Sequence, residues 1–384
     1  MQKTLITLAV FGAISGAAQA QSSVTIYGIV DTGVAYTNKV NTTPALLGGR
    51  TGSKFSVNSG IVQGSRFGFK GVEDLGGGLR ALFQLEGGFA NDTGALQGDK
   101  GSTNLFRRKS VVGLSSNDFG TVLLGRQTDI LDDIGGTLTS VIDFGQLVAA
   151  VGHGLDRLEG IRTNNAVRYN SPVLAGFTAS AIYGFGEAAG QTSTGQTFGF
   201  GGIYTNGPLS LFAAYYQSKL GNPTAAPSDT SLINSAPIFI GHPGDTALKT
   251  FSLGVNYQAG SARLYGNWSR AKQPLATVSA NNIIGGLSND KADIFELGVN
   301  YAVTAPLHIV ASIQHTKLDF ISTSKGTLNQ FNVGADYFLS KRTDLYVFLS
   351  DLRATGTNNP GVLGDSTGAQ GNQAAIAVGI RHKF

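Results

Sequence analysis

Of the 384 residues, 28 are Lys or Arg and 24 are Asp or Glu, a net charge of +4; cysteine is absent, glycine numbers 54, and only 14% of residues are charged. The lack of Cys excludes disulfides, thiol catalysis and Cys-zinc centres, and so small a charge argues against a nucleic-acid face. Glycine at about twice its usual share of roughly 7%, with charge well below the ~25% of soluble domains, does not suit an ordinary cytoplasmic enzyme.

The chain opens with Lys3, an apolar stretch from Leu5 to Ala18, and the tripeptide Ala18-Gln19-Ala20. A basic start, a short apolar centre and an A-x-A ending predict a cleavable secretory signal over residues 1–20. Its removal would take away Lys3 and leave residues 21–384 as one domain, with 27 basic against 24 acidic side chains. A membrane helix needs about 20 consecutive apolar residues. No such run follows the signal, so helical spans are excluded. The other structure that satisfies its backbone in lipid is a closed β-barrel, which is marked by alternation instead.

Alternation runs the length of the chain. Val24, Ile26, Val30, Val34 and Tyr36 share one parity, with Thr25, Asp31 and Gly33 on the other. Ser65, Phe67 and Phe69 alternate against Arg66, Gly68 and Lys70. Leu79, Ala81, Phe83, Leu85 and Phe89 alternate against Arg80, Gln84 and Glu86. At the far end Ile376, Val378, Ile380 and Phe384 oppose Arg381 and Lys383. A period of two means strands with one apolar and one polar face.

Loop lengths separate a membrane barrel from a soluble sandwich. Short links at 73–78, 116–120, 171–176, 206–208, 259–260, 304–306 and 339–342 alternate with long polar ones at 38–64, 217–246, 271–290 and 352–372. Tight periplasmic turns and extended external loops give a barrel this rhythm. One hairpin with its turn and loop takes about 45 residues. Removing 20 of 384 residues leaves 364, enough for eight hairpins. We therefore expect an all-β, 16-stranded antiparallel transmembrane barrel, wide enough for a water-filled lumen. Strands are expected to begin near 24, 65, 79, 106, 120, 164, 177, 196, 209, 247, 262, 292, 307, 327, 343 and 374.

Several motifs in this order resemble the Gram-negative general diffusion porins of the proteobacterial trimeric type. They are the signal, Ser23-Val24-Thr25-Ile26-Tyr27-Gly28, Ser65-Arg66-Phe67-Gly68-Phe69-Lys70-Gly71, the turn Glu73-Asp74-Leu75-Gly76, Leu124-Gly125-Arg126 leaving the fifth strand, and the terminal Phe384. The resemblance spans the mature chain. It implies an outer-membrane homotrimer and a third loop folded into the lumen. It also implies a terminal aromatic, here Phe384, read by the barrel-assembly machinery. The partners it implies are outer-membrane lipid and lipopolysaccharide, with ions and small hydrophilic solutes passing through; neither cofactor nor metal is expected.

The segment from Thr128 to Ile161 breaks the alternation and holds six acids (Asp129, Asp132, Asp133, Asp143, Asp156, Glu159) against Arg157. By the resemblance this is the third loop, and Arg66, Arg126 and Arg168 fall at the family's constriction arginines. The expected constriction sets Arg66, Lys109, Arg126, Arg162 and Arg168 against Asp129, Asp133 and Asp143, a transverse field that sets ion preference. Asp129, Asp132 and Asp133 could instead cap a helix. Arg108 has the wrong parity and is expected at the rim. Tyr36, Phe89, Tyr169, Tyr183, Tyr257, Trp268 and Tyr301 read as interfacial girdle residues.

Catalytic signals are missing: His153, His242, His308, His315 and His382 are scattered, with no H-E-x-x-H, G-x-S-x-G or G-K-[ST]. Two rivals to a non-specific channel stay open. An outer-membrane hydrolase would need a Ser/His or Asp/His pair at the rim. A channel specific for a sugar or an organic anion would need an aromatic track plus a polar ladder down the lumen.

Overall fold

The computed structural model describes residues 23–42, 51–96, 104–149, 151–159, 162–219, 247–272, 289–320, 325–357, 359–363 and 371–384. The expected signal at 1–20 lies outside them.

Strands in chain order are β1 (Ser23–Asn41), β2 (Thr51–Ser59), β3 (Arg66–Gly76), β4 (Leu79–Gly88), β5 (Lys109–Ser116) and β6 (Gly120–Thr128). They continue with β7 (Arg162–Asn170), β8 (Phe177–Gly184), β9 (Thr197–Asn206), β10 (Leu209–Lys219), β11 (Ala247–Ala259) and β12 (Ala262–Lys272). Last come β13 (Asn289–Ala302), β14 (Leu307–Phe320), β15 (Lys325–Phe338), β16 (Thr343–Thr355) and β17 (Asn372–Lys383). From β3 onward each strand pairs antiparallel with the next, and β17 returns to β1 through Val34↔Val378. Among the described residues the circuit from β1 through β3 to β17 and back to β1 is closed.

Seventeen strands fill sixteen wall positions, because the second position is divided. β1 pairs with β3 from Ser23↔Val72 to Ile29↔Arg66, then with β2 from Thr32↔Ser59 to Asn41↔Thr51. Between the two pieces the chain turns inward at Gly60, whose φ of 71° suits glycine. Asp31 holds this break: its carboxylate accepts from the Val62 and Gln63 amides at 2.9 and 2.6 Å and from the Tyr346 hydroxyl at 2.7 Å. The sixteen expected starts all fall within three residues of observed ones. Only β2, inside the expected 38–64 loop, was not foreseen. Its alternation rests on Phe55 and Val57 alone, among small polar residues, so the signal is faint.

Outward parity carries Val24, Ile26, Val34, Leu253, Leu297, Val333, Val347 and Val378, all exposed. The inner face is less polar than alternation implied. Tyr27, Tyr265, Phe348 and Tyr346 point inward, each directly opposite a glycine: Gly68, Gly298, Gly334 and Gly379. A Cβ at Gly68 would come within 2.6 Å of the Tyr27 ring. Part of the glycine excess is thus the space that neighbouring rings occupy.

The third loop is a chain of short helices: α1 (Ile130–Gly135), a 3-10 turn (Gly136–Leu138), α2 (Val141–Phe144), α3 (Gln146–Ala149) and α4 (Gly152–Asp156). Its apolar side chains seat on the inner wall in two clusters. Ile130, Leu131, Ile134 and Leu158 pack on Ala166, Ile182, Phe212, Ala214 and Tyr216. Phe144, Leu147, Val148, Val151 and Leu155 pack with Ile61, Val62, Leu248, Ile294, Val310 and Phe348. At roughly 1.5–3 kcal/mol per buried large side chain, these contacts hold the loop inside the barrel. Polar anchors fix its register: the Gln146 amide donates to the Ile61 carbonyl at 2.9 Å, and the Gly152 amide to Gln314 Oε1 at 2.9 Å.

Candidate pore constriction

The inward break at 60–64 sets Arg66 at the foot of β3. Its Nε donates to the Gly64 carbonyl at 2.9 Å, and its Nη1 lies 4.0 Å from Glu86 on β4. Glu86 also accepts from Arg108 Nε at 2.7 Å and from the Tyr27 hydroxyl at 2.9 Å. Lys109 is the cross-strand partner of Glu86. Arg162, opening β7, donates through Nε to the Arg108 carbonyl at 2.9 Å and reaches Asp132 of α1 at 3.4 Å. One turn further, Arg168 pairs with Asp133 and holds Asn170 Oδ1 at 2.9 Å. Glu159 lies in the field of Arg66, Arg108, Arg162 and Asp132, so five cations (Arg66, Arg108, Lys109, Arg162, Arg168) stand with four acids (Glu86, Asp132, Asp133, Glu159), an excess of one positive charge.

Asp132 is the acid whose charge state is most sensitive here. Burial pushes its carboxyl up, Arg162 pulls it back, and Asp133, Asp129 and Glu159 push it up again, to about 7. Lowering the pH from 8 to 6 should therefore neutralise it, make the cluster more cationic and shift the reversal potential toward anions. Reversal potentials across that range test this: Asp132→Asn should be flat with pH and more anion-preferring at pH 8. An unchanged pH slope in the variant would assign the titration to a different acid.

Four expectations need correction. Asp129 does not face the opening: it is fully buried, caps α1 by accepting from the Leu131 and Asp132 amides at 2.9 and 3.0 Å, and pairs with Arg157 at 2.8 Å. The helix-capping alternative describes it. Arg126 shares the parity of exposed Val122 and Leu124 and stands opposite outward Ser110. Its guanidinium donates to the Arg107 carbonyl and to Asn164 Oδ1, on the outer side of the wall. The observed register opposite Ser110 overrides the inward placing that alternation and motif position both gave it. Arg108 lies inside rather than at the rim, because it precedes β5 and no strand parity governs it. Asp143 is brought to the wall, but elsewhere: it binds Arg263 at 2.6 Å and Asn300 at 2.8 Å, on β12 and β13.

Sequence reasoning missed Asp132 and Glu86 as members. Glu86 was visible as an inward residue of β4, and its register opposite Lys109 was the available signal. Further along the loop, His153 of α4 lies fully buried between Asp156, at 3.1 Å, and Glu296 of β13. Glu296 also accepts from the Ser140 amide at 2.7 Å. Burial alone would lower the imidazole's pKa, but the two carboxylates outweigh it and raise it to about 10.

Comparison with known proteins agrees with this architecture. The family model described as Gram-negative porin matches residues 7–357. An outer membrane porin protein of Bordetella pertussis is 31% identical, with 100% of each chain covered. Outer membrane porin protein 32 of Delftia acidovorans is 34% identical, again over 100% of both. Among solved structures, an anion-selective porin from Comamonas acidovorans superposes with a TM-score of 0.70 at 27% identity, covering 95% of this chain and 100% of that one.

Proposed function

The chain belongs to the Gram-negative porin family, and from that premise we propose that its lumen narrows at the third loop to a net-cationic opening favouring small hydrophilic anions. The protein is an outer-membrane β-barrel whose channel serves passive diffusion. The observation that carries the anion preference is the Arg66–Glu86–Arg108–Arg162–Asp132 cluster with its surplus of cations. Rings of charge at a narrow point set ion preference. The anion selectivity stated for the Comamonas acidovorans porin supports the same sign. A planar bilayer holding the purified protein in a potassium chloride gradient provides the test. A reversal potential of the chloride sign is expected; the potassium sign would overturn the proposal.

A sugar-specific channel needs rings exposed along the lumen. Here Tyr216, Tyr346 and Phe348 are buried beneath the third loop, which favours the general channel. The reading requires neither a cofactor nor a catalytic step. We further infer that residues 1–20 are removed on export, leaving the barrel domain of 21–384.

The assembly we propose is a homotrimer. β2 pairs only with β1 among the described residues, and its Phe55 and Val57 join Val112, Leu114 and Val122 among the exposed apolar residues of the outward face. Unheated detergent gels should show an oligomer that heating converts to monomer; a heat-insensitive monomer would remove the trimer. Phe384 closes β17 with its amide donating to the Gly28 carbonyl at 3.0 Å and its ring against Gly28 on the lipid side. We assign it the terminal assembly signal. Deleting it should cut the heat-sensitive oligomer by more than a half-exposed ring's burial, about 1–2 kcal/mol, could explain. Normal yield would remove that assignment.

A further inference from the structure

The lumenal face of β12–β17 turns apolar at the ends that carry the long loops. Ala271, Ala292 and Leu318 are direct cross-strand partners there, and Leu328, Leu352 and Ala375 continue the belt on β15, β16 and β17. Each is at most 2% exposed. The inner wall of a water-filled barrel is polar where water reaches it. A belt that is apolar and buried at the mouth is therefore covered, and two segments cover it. The helix α4 of the third loop packs on β11–β14, and Val362 and Leu363, between β16 and β17, belong to the same buried cluster.

The link at 352–372 reads as an external loop, yet part of it folds back into the barrel. Asn359 Nδ2 donates to the Leu352 carbonyl at 3.3 Å, and Asn359 Oδ1 accepts from the Gly361 amide at 2.9 Å. The Val362 amide donates to Gln373 Oε1, on the inward face of β17, at 2.8 Å. Gly361, with a φ of 90°, makes the bend that carries Val362 to the wall. Val362 ends fully buried and Leu363 8% exposed, so both are seated inside rather than left in water. The segment Asn359-Pro360-Gly361-Val362-Leu363 carries no charge. We propose that it is a second sieve at the external mouth, one that narrows the vestibule by bulk alone, ahead of the third-loop opening where charge acts. Pore diameter and lining charge are separate determinants of selectivity, and here they sit on different loops. Val362 and Leu363 hold the segment in place and so set the size of neutral solute admitted. The solutes it discriminates are uncharged and hydrophilic, the size of oligosaccharides, which gain nothing from Arg66 or Arg162. The sieve rests on the barrel being a diffusion channel, not on the sign of its ion preference.

Proteoliposome swelling with arabinose and raffinose, a neutral pentose and a neutral trisaccharide, provides the test. Val362→Asn/Leu363→Asn should unseat the segment and raise the raffinose-to-arabinose rate ratio roughly fivefold, because the mouth widens. The reversal potential of the same variant in a potassium chloride gradient should stay where it is in the wild type. Leu339→Asn, in a short turn at the opposite end of the barrel, should change neither. The absence of cysteine allows the seating to be read directly, even if the double variant fails to fold. In detergent, Val362→Cys should react with a water-soluble maleimide roughly tenfold or more slowly than Thr355→Cys, because a seated side chain reacts only when its segment opens. Thr355, at the end of β16, is exposed. An unchanged sugar ratio in a folded double variant, a ratio that rises only together with a shifted reversal potential, or a Val362→Cys as reactive as Thr355→Cys would each overturn the proposal.

Discussion

Replacing Arg66 and Arg162 together by glutamine is expected to swing the reversal potential toward cations. The two positions contribute two of the five positive charges around Glu86, Asp132, Asp133 and Glu159, so the local surplus of one becomes a deficit of one. A unit charge ~4 Å from a passing ion is worth ~1 kcal/mol in a water-like medium, a factor of about five in local concentration. Two such charges should therefore change the chloride-to-potassium permeability ratio by roughly 5- to 25-fold at low salt. Screening acts over ~10 Å at 0.1 M and ~3 Å at 1 M, so the shift should shrink in concentrated salt. The barrel itself should be little affected, because Glu86 keeps Arg108 at 2.7 Å and the Tyr27 hydroxyl at 2.9 Å. By contrast Arg126→Gln, on the outer side of the wall, should leave the potential where it was. If the double variant were silent and Arg126→Gln shifted the potential, the opening would be lined by other residues than those assigned.

His153→Ala should loosen the third loop and make the open channel noisy. The imidazolium is the cation shared by Asp156 and Glu296, and all three side chains are fully buried. Its loss leaves the Glu296 carboxylate with the Ser140 amide but no charge partner, and removing one member of a buried pair costs about 3–5 kcal/mol. That is comparable with seating one or two of the loop's apolar side chains, so the loop should undock intermittently rather than leave the lumen. Because the imidazole's value is raised from 6.5 to about 10, its contribution is complete below about pH 6.5 and is lost as pH climbs toward 10. Wild-type channels should accordingly become noisier between pH 7 and pH 10, and the alanine variant should be noisy throughout. Single-channel recordings at both pH values decide it. A quiet variant with no pH response would place the anchoring in Gln314, Gln330 and the apolar clusters instead.

The architecture was legible in the sequence because a lipid-facing strand has no latitude. Each must present an apolar residue at every second position and close its backbone hydrogen bonds on a neighbour. Val24 to Tyr36 on β1 and Ile376 to Phe384 at the end of β17 follow that rule, and with loops alternating short and long the strand count followed. Where the rule weakens, legibility weakened too. β2 has two large apolar residues, and the inner face has no lipid to satisfy, so Tyr216 and Phe348 there could not be told from girdle rings.

Several residues of the proposed constriction were nameable from parity: Arg66, Lys109 and Arg168 are inward on their strands. The partners they meet were decided by tertiary structure alone. Asp129, Asp132, Asp133 and Asp143 lie within fifteen residues of one another on a loop that strand parity does not reach. One caps α1 and is buried, two meet Arg162 and Arg168, and the fourth crosses to Arg263. Which acid goes where depends on how Leu131, Ile134, Phe144 and Leu147 seat on the inner wall, and that is a matter of shape between residues far apart in the chain. Arg108 was misplaced and Glu86 overlooked as its partner for the same reason. Alternation is a local, one-dimensional signal set by the membrane, whereas the charge across the opening is set by three-dimensional packing of a segment the membrane never touches.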